Sequence, residues 1–249
     1  MTITLVQITD THIHDQQEAM LGDTHPDTSL HEVIRHAIHH CPNIDSVVLT
    51  GDLTHDGTAA ACKRLGALLS PFNCPVYITL GNHDCTDIIQ QHLLSKRIAM
   101  PERIEMKHWQ LLFVDSHIED QVAGLIKDLD IKRLTTQLQQ CEKPALLFTH
   151  HPPVKINSPW MDEIRMKNGA QVLQQLSSYK NLHALAFGHI HQVWHSQYQH
   201  IEILGSPSSC VQFKTGSKKF TLDDNSPGYR VFNLHDNGEF DSKVIRLQT

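Results

Sequence analysis

Residues 3–12 read ITLVQITDTH, a run rich in β-branched and aliphatic side chains that ends at Asp10 and His12. A short, mostly apolar run of this kind suits a strand covered on both faces, as sheets are in α/β proteins. The design returns in SVVLTGD (46–52), VYITLGNHD (76–84), ALLFTHHPP (145–153) and ALAFGHIH (184–191). Each passes from an apolar run straight into Gly, Asp, Asn or His. Ligands in α/β folds collect at the carboxyl ends of strands, so these five ends mark one working edge.

Outward from that edge, the pattern predicts strands at 3–8, 46–50, 76–80, 110–114, 145–149, 184–187, 201–204, 229–234 and 243–247. Helices are expected at 30–40, 58–69, 131–140 and 169–179, where apolar residues recur at spacings of three and four. The first half reads as βα units and the last third as mainly β. The expected fold is α/β, with two β-sheets packed face to face and flanked by helices. A single domain is expected over 1–249, with a β-rich part from about residue 205. That tail either pairs with a second copy, giving a homodimer, or folds back on its own sheet. The polar stretch from Thr215 to Pro227 contains Gly, Ser, Asn and Pro and reads as a flexible loop.

Composition removes several classes of function. The chain has 249 residues and a net charge of -6 with His neutral, which argues against a basic face for nucleic acid. Six Cys residues are scattered without a CxxC pair, so neither a zinc knuckle nor a disulfide framework is implied and a reducing compartment fits. There is no secretory leader pattern and no apolar run of spanning length, so a cytoplasmic protein without a membrane segment is expected. With 20 His residues, no single imidazole argues for a site. His31, His36, His39 and His40, on one predicted helix, read as a solvated face.

Asp10, His12, Asp52, Asn82, His189 and His191, with one of His150 and His151, offer oxygen and nitrogen donors and no thiolate, a set suited to two divalent first-row metals. Two metals point to hydrolysis at phosphorus. In an extended segment, residues two apart face the same way, which would bring Asp10 to His12 and His189 to His191. Asp52, after a Gly turn, is the natural carboxylate between two ions, and Asn82 would complete the second. His83, beside a ligand yet free of metal, can donate a proton to a leaving oxygen. Asp56 would orient His83 or serve as a turn or N-cap residue of the following helix. Trp160, Phe213 and Tyr229 are aromatic candidates for stacking on a base, with local packing as their ordinary role.

The order DTH, GD, GNHD, THHPP, GHIH resembles the calcineurin-like metallophosphoesterases. The segments HHPPVKINSPWMD (150–162), GHIHQVW (188–194), LGSPSSCVQF (204–213) and SPGYR (226–230) make the chain similar to the bacterial class III cyclic nucleotide phosphodiesterases. The resemblance implies a four-layer αββα fold and two divalent ions, usually iron and manganese, with zinc or cobalt able to substitute. One ion would be held by Asp10, His12, Asp52 and His191, the other by Asp52, Asn82, His150 and His189. His83 takes the proton-donor position, with Asp52 counted beside it as catalytic. His12, Asp52, Asn82, His83 and His191 would meet the substrate.

The resemblance also implies an activity, the hydrolysis of 3',5'-cyclic AMP to 5'-AMP. Phosphoprotein phosphatases of the superfamily carry an Arg shortly after the GD motif, and GDLTHDGT (51–58) has none. A diester bears a single negative charge that two metals neutralise unaided, so the absence favours a diesterase. The alternatives are 2',3'-cyclic nucleotides or other small diesters as substrates, and a non-catalytic scaffold on the same fold. Bound metal together with hydrolysis of a generic diester separates enzyme from scaffold.

Overall fold

The computed structural model describes residues 2–41 and 43–248. The chain runs β1 (Ile3–Ile8), α1 (Pro26–His40), β2 (Ser46–Thr50), α2 (Ala59–Leu68), β3 (Val76–Thr79), α3 (Thr86–His92), β4 (Ile98–Ala99), β5 (Arg103–Glu105) and β6 (Gln110–Phe113). It continues through α4 (Asp128–Gln140), β7 (Ala145–Phe148), α5 (Pro159–Glu163), α6 (Gly169–Leu176), β8 (Leu182–Phe187), β9 (Trp194–Tyr198) and β10 (Ile201–Gly205). It closes with β11 (Gln212–Phe213), β12 (Leu222–Asp223), β13 (Gly228–Leu234) and β14 (Phe240–Arg246).

Two mixed sheets result, in the orders β14-β13-β1-β2-β3-β4 and β5-β6-β7-β8-β10-β9. The central strands β1 to β4 run parallel in the first, and β6, β7, β8 and β10 in the second. Their side chains alternate between two destinations. Val6 and Ile8 of β1 and Val47 and Leu49 of β2 pack under α1, α2 and α3, while Leu5 and Val48 point to the opposite sheet. In the second sheet Leu146 and Phe148 of β7 meet them, and Leu147, Leu185 and Phe187 turn outward to α4, α5 and α6. The layers are therefore αββα, and both faces of the central strands are buried as the apolar runs require.

The β-rich tail folds back. β13 pairs antiparallel with β1, Val231 opposite Val6, and β14 forms the outer edge. Of the stretch expected as a loop, Leu222 and Asp223 are in a strand, pairing with Phe213 and Gln212 to close a short hairpin whose loop is residues 214–221. Lys214 N–H extends that pairing to Thr221 O at 2.9 Å. Among the described residues no helix is long and apolar enough to cross a membrane.

Beneath the working edge the sheets are tied by buried polar groups. Gln7 donates to Thr50 Oγ1 at 2.9 Å and accepts from Ser206 Oγ at 2.7 Å. Arg230 of β13 donates to Ser206 Oγ and to Gly205 O at 3.1 and 2.8 Å, reaching from one sheet to the end of the other. Burial pulls the Arg230 guanidinium down to about 10, a cost accepted where the network is otherwise satisfied. The carboxyl ends of the two sheets are thereby fixed against each other.

Candidate metal centre

β1, β2, β7 and β8 all end at the same edge of the sandwich, and the residues that follow them turn sharply inward. Asp10, His12, Asp52, His189 and His191 have φ of 54, 46, 48, 66 and 48°, the left-handed region that Asp, Asn and His tolerate better than most residues. Each such residue costs on the order of 1–3 kcal/mol and persists only where its surroundings enforce it. The expected extended alternation is therefore corrected: left-handed backbone at both members of each pair brings Asp10 and His12 into one group with His191, while His189 turns to His150 in another. Hydrogen bonds enforce it, from Asp10 N–H to Gly51 O at 3.1 Å, His12 N–H to Asp52 O at 3.0 Å and Gly188 N–H to His150 O at 3.1 Å.

The structure brings all seven expected donors together. His191 Nε2 lies 3.3 Å from Asp10 Oδ1 and 3.2 Å from His12 Nε2. His150 Nε2 lies 3.4 Å from Asp52 Oδ2, 3.3 Å from Asn82 Oδ1 and 3.2 Å from His189 Nδ1. Asp52 Oδ2 is also 3.8 Å from His12 Nε2, so its carboxylate faces both groups. The tautomers show what these contacts mean. His150 Nδ1–H donates to Thr50 O at 2.7 Å and His191 Nδ1–H to Val211 O at 2.8 Å. In the neutral rings both Nε2 atoms then present lone pairs to carboxylate, carboxamide and imidazole acceptors, a convergence that calls for cations. The residues fit two divalent ions.

Electrostatics agree. Burial alone would push the Asp52 carboxyl up, but the His150 and His12 imidazoles hold it well below the usual carboxylate range. Burial opposes charging of His150 too, yet Asp52 and Asp10 outweigh it and raise that imidazole to about 9. Burial drives His12 and His189 well below the ordinary histidine value. A pocket that draws a proton to His150 and keeps His12 and His189 neutral is one where an ion and a proton compete.

Close approach of the loops demands glycine. A Cβ on Gly81 would lie 2.2 Å from both Asp52 N and Asp52 Oδ1, and one on Gly188 2.0 Å from Thr9 Oγ1. Gly81→Ala is expected to destabilise the metal-free protein by about 1–3 kcal/mol, the usual cost of forced overpacking. Urea denaturation followed by circular dichroism measures it, and an unchanged midpoint would contradict the close approach.

His83 lies beside this centre. Its N–H donates to Asp52 Oδ1 at 3.0 Å, and its Nδ1–H donates to the carbonyl of His55 at 2.8 Å. The expectation that Asp56 orients His83 is corrected, because Asp56 accepts from Asp15 N–H at 2.7 Å and Thr58 Oγ1–H at 3.0 Å. It is a turn residue ahead of α2, whose N-cap is Thr58. Sequence reading missed His55, which also stacks on His83 with ring centroids 4.9 Å apart. It missed Asp84 as well. That buried carboxylate, raised to about 6 by burial and then by Asp52, accepts from the N–H groups of Leu53, Thr54 and Gly81 at 2.9–3.1 Å. Asp84 thus staples the GD turn to the GNHD turn, and the D of that motif was the available signal.

His151 packs against His189, with ring centroids 4.6 Å apart, but both of its ring nitrogens are taken. Its Nδ1 accepts from Ser116 Oγ–H at 2.8 Å and its Nε2–H donates to Val122 O at 3.0 Å, and burial presses the ring down to about 3. Phe213 is not free to stack on a base, since its ring lies flat on His191, 3.9 Å away and 9° from parallel. Trp160 packs on Phe213 and Phe220, and the fully buried Tyr229 bonds His36 Nδ1 through its hydroxyl at 3.0 Å. β11 and the preceding Val211 therefore hold His191, by ring cover, by Val211 O and by Phe213 N–H to His191 O at 3.3 Å. Phe213→Ala is expected to weaken one of two ions by about 10-fold, within the range for groups that orient a ligand. Elemental analysis after graded chelation tests this, and equal retention of both ions would contradict it.

The pattern of the calcineurin-like phosphoesterases matches residues 3–193. The chain is 33% identical over 247 residues to a Pseudomonas aeruginosa protein named 3',5'-cyclic adenosine monophosphate phosphodiesterase CpdA, covering 99% of this chain and 90% of that one. Among solved structures it superposes on GAP50, described as the anchor in the inner membrane complex of Plasmodium, with a TM-score of 0.70 at 15% identity, covering 98% and 84% of the two chains. It also superposes on a dimetal phosphatase from Danio rerio with a TM-score of 0.67 at 12% identity, covering 98% of each. One fold thus carries an anchor and a phosphatase by name, so the site must decide function.

Proposed function

The chain belongs to the calcineurin-like phosphoesterases, and from this premise we propose that it is a dinuclear-metal phosphodiesterase hydrolysing 3',5'-cyclic AMP to 5'-AMP. The observation that carries the hydrolytic part is the convergence of lone pairs around His150 Nε2 and His191 Nε2 with Asp52 facing both. The choice of substrate is supported by a relative of that name at 33% identity over 99% of the chain, and by the absence of Arg from GDLTHDGT. Iron, manganese or both are the ions this donor set would hold, with zinc and cobalt as substitutes.

Asp10, His12, Asp52 and His191 would hold one ion, and Asp52, Asn82, His150 and His189 the other. When bound, the pair neutralises the phosphoryl oxygens and makes water nucleophilic near neutral pH, so the protein need supply no covalent nucleophile. The protein's own part is placement and protons. Asn82 and His12 would flank the phosphoryl position, and buried Asp10 and Asp52 would hold the ions by charge. His83, protonated at both nitrogens, gives its Nε2 proton to the 3' oxygen as the P–O3' bond breaks. The neutral tautomer left behind carries hydrogen on Nδ1, already matched to the His55 carbonyl, so the ring need not turn.

Product analysis tests the reading. Cyclic AMP incubated with the manganese-loaded protein is expected to give 5'-AMP alone, and 3'-AMP as the main product would contradict the placing of the acid.

A further inference from the structure

The metal centre opens on one side into a cleft of about 760 Å³ that starts at Asn82 and His83. Its near wall is the turn from Asn82 to Asp87, where α3 begins, and its far wall is the loop from Asp115 to Val122. A volume of this order is that of ordinary small-molecule sites. A phosphoryl group at the metals with its leaving oxygen on His83 must send the rest of its molecule this way. The other candidate surface, the aromatic group beside His191, packs against itself through Trp160, Phe213 and Phe220.

The far wall is built to keep its shape. His151, next to the donor His150, bonds both ends of the loop through Ser116 and Val122. Gly124 lies so close that an added Cβ would stand 2.3 Å from the His151 ring. Within the loop Leu125 N–H donates to Ser116 O at 2.9 Å and Gln121 N–H to Ile118 O at 3.1 Å. The wall is therefore fixed to the same strand end that presents His150.

The cleft's charges are uneven. Asp87, Asp115, Glu119 and Asp120 line it against the single ammonium of Lys127. Among the charged groups that a ligand meets there, carboxylates outnumber the ammonium, and their oxygens accept hydrogen bonds from amino groups and repel added negative charge. A dianionic monoester feels that repulsion twice as strongly as a monoanionic diester. We propose that this cleft is the subsite for the nucleoside part of the substrate, and that its carboxylates sort ligands by charge, admitting an amino-bearing base on a cyclic diester and expelling the dianionic 5'-monoester product. The inference rests on the cyclic nucleotide reading and adds to it where the base lies and why the product leaves.

The test uses the manganese-loaded full chain hydrolysing bis-p-nitrophenyl phosphate, so the assay runs whether or not cyclic AMP is the natural substrate. Inhibition by 5'-AMP and by uncharged adenosine is compared in the wild type and in a variant combining Asp87→Asn, Asp115→Asn, Glu119→Gln and Asp120→Asn. The 5'-AMP inhibition constant is expected to fall at least about fivefold relative to that of adenosine at low salt, and the difference to shrink at high salt, where charges more than a few ångströms apart are screened. An unmoved ratio in a variant with full metal content overturns the charge sorting. Val122→Trp, filling the cleft from the exposed far wall, is expected to raise the adenosine constant at least tenfold with both ions retained, and an unchanged constant overturns the subsite. Failure of the wild type to turn over any cyclic nucleotide would instead sink the reading beneath the inference.

Discussion

Asp52→Ala is expected to leave the protein with one ion or none and to lower kcat at least about 10³-fold, since the loss exceeds that of one hydrogen-bond donor, itself worth 10²–10³. The reason is geometric. Asp52 Oδ2 faces His150 on one side and His12 on the other, while its Oδ1 accepts the His83 N–H. Removal would take negative charge from both ion positions and loosen the turn that carries the acid. Asp52→Asn keeps the shape and one acceptor oxygen but loses the charge, and should fall between. Elemental analysis of dialysed protein decides the matter, and two full equivalents of metal in the Ala variant would remove Asp52 as the bridge.

His83→Ala should behave in the opposite way. The backbone N–H that bonds Asp52 survives the substitution, so both ions are expected to stay. Turnover of cyclic AMP should fall about 10²–10⁴-fold, the range for a positioned acid. Hydrolysis of bis-p-nitrophenyl phosphate, whose leaving group departs without a proton, should fall far less. Equal losses on the two substrates would show that His83 does something other than protonate, and loss of an ion would make it a ligand.

Central strands such as β2, β6 and β7 were legible because each is buried on both sides, which leaves a continuous apolar run. β1 and β2 fall on residues 3–8 and 46–50, as the runs predict. What escaped notice was held together by distant parts of the chain. β4 and β11 are two-residue strands whose pairing comes from neighbours, and β9 is an edge strand that alternates in exposure without an apolar run. Helix α3 spans seven residues and buries Ile89, too short for a helical period to stand out.

The donors were legible for the same reason that makes them costly. Asp, Asn and His at strand ends are chemically conspicuous, and the left-handed turns that aim them are not, because φ is set by loop hydrogen bonds such as Asp10 N–H to Gly51 O. His55 acts on His83 through its carbonyl, a group every residue has, so its side-chain identity gives no hint of the contact. Asp56 looked better placed than it is, because four residues from Asp52 says nothing about which way a turn faces. Asp84 was in plain view in GNHD, yet two of its three backbone contacts reach Leu53 and Thr54, about thirty residues away.

The central claim, that this metal centre serves a 3',5'-cyclic nucleotide, is tested most directly by steady-state kinetics on a panel of cyclic nucleotides with manganese or iron as the sole metal. The expected result is a kcat/KM for 3',5'-cyclic AMP at least about tenfold above that for 2',3'-cyclic AMP, lost when the metal is removed. Turnover confined to 2',3'-cyclic substrates, or to none of the panel while two ions are bound, would contradict it.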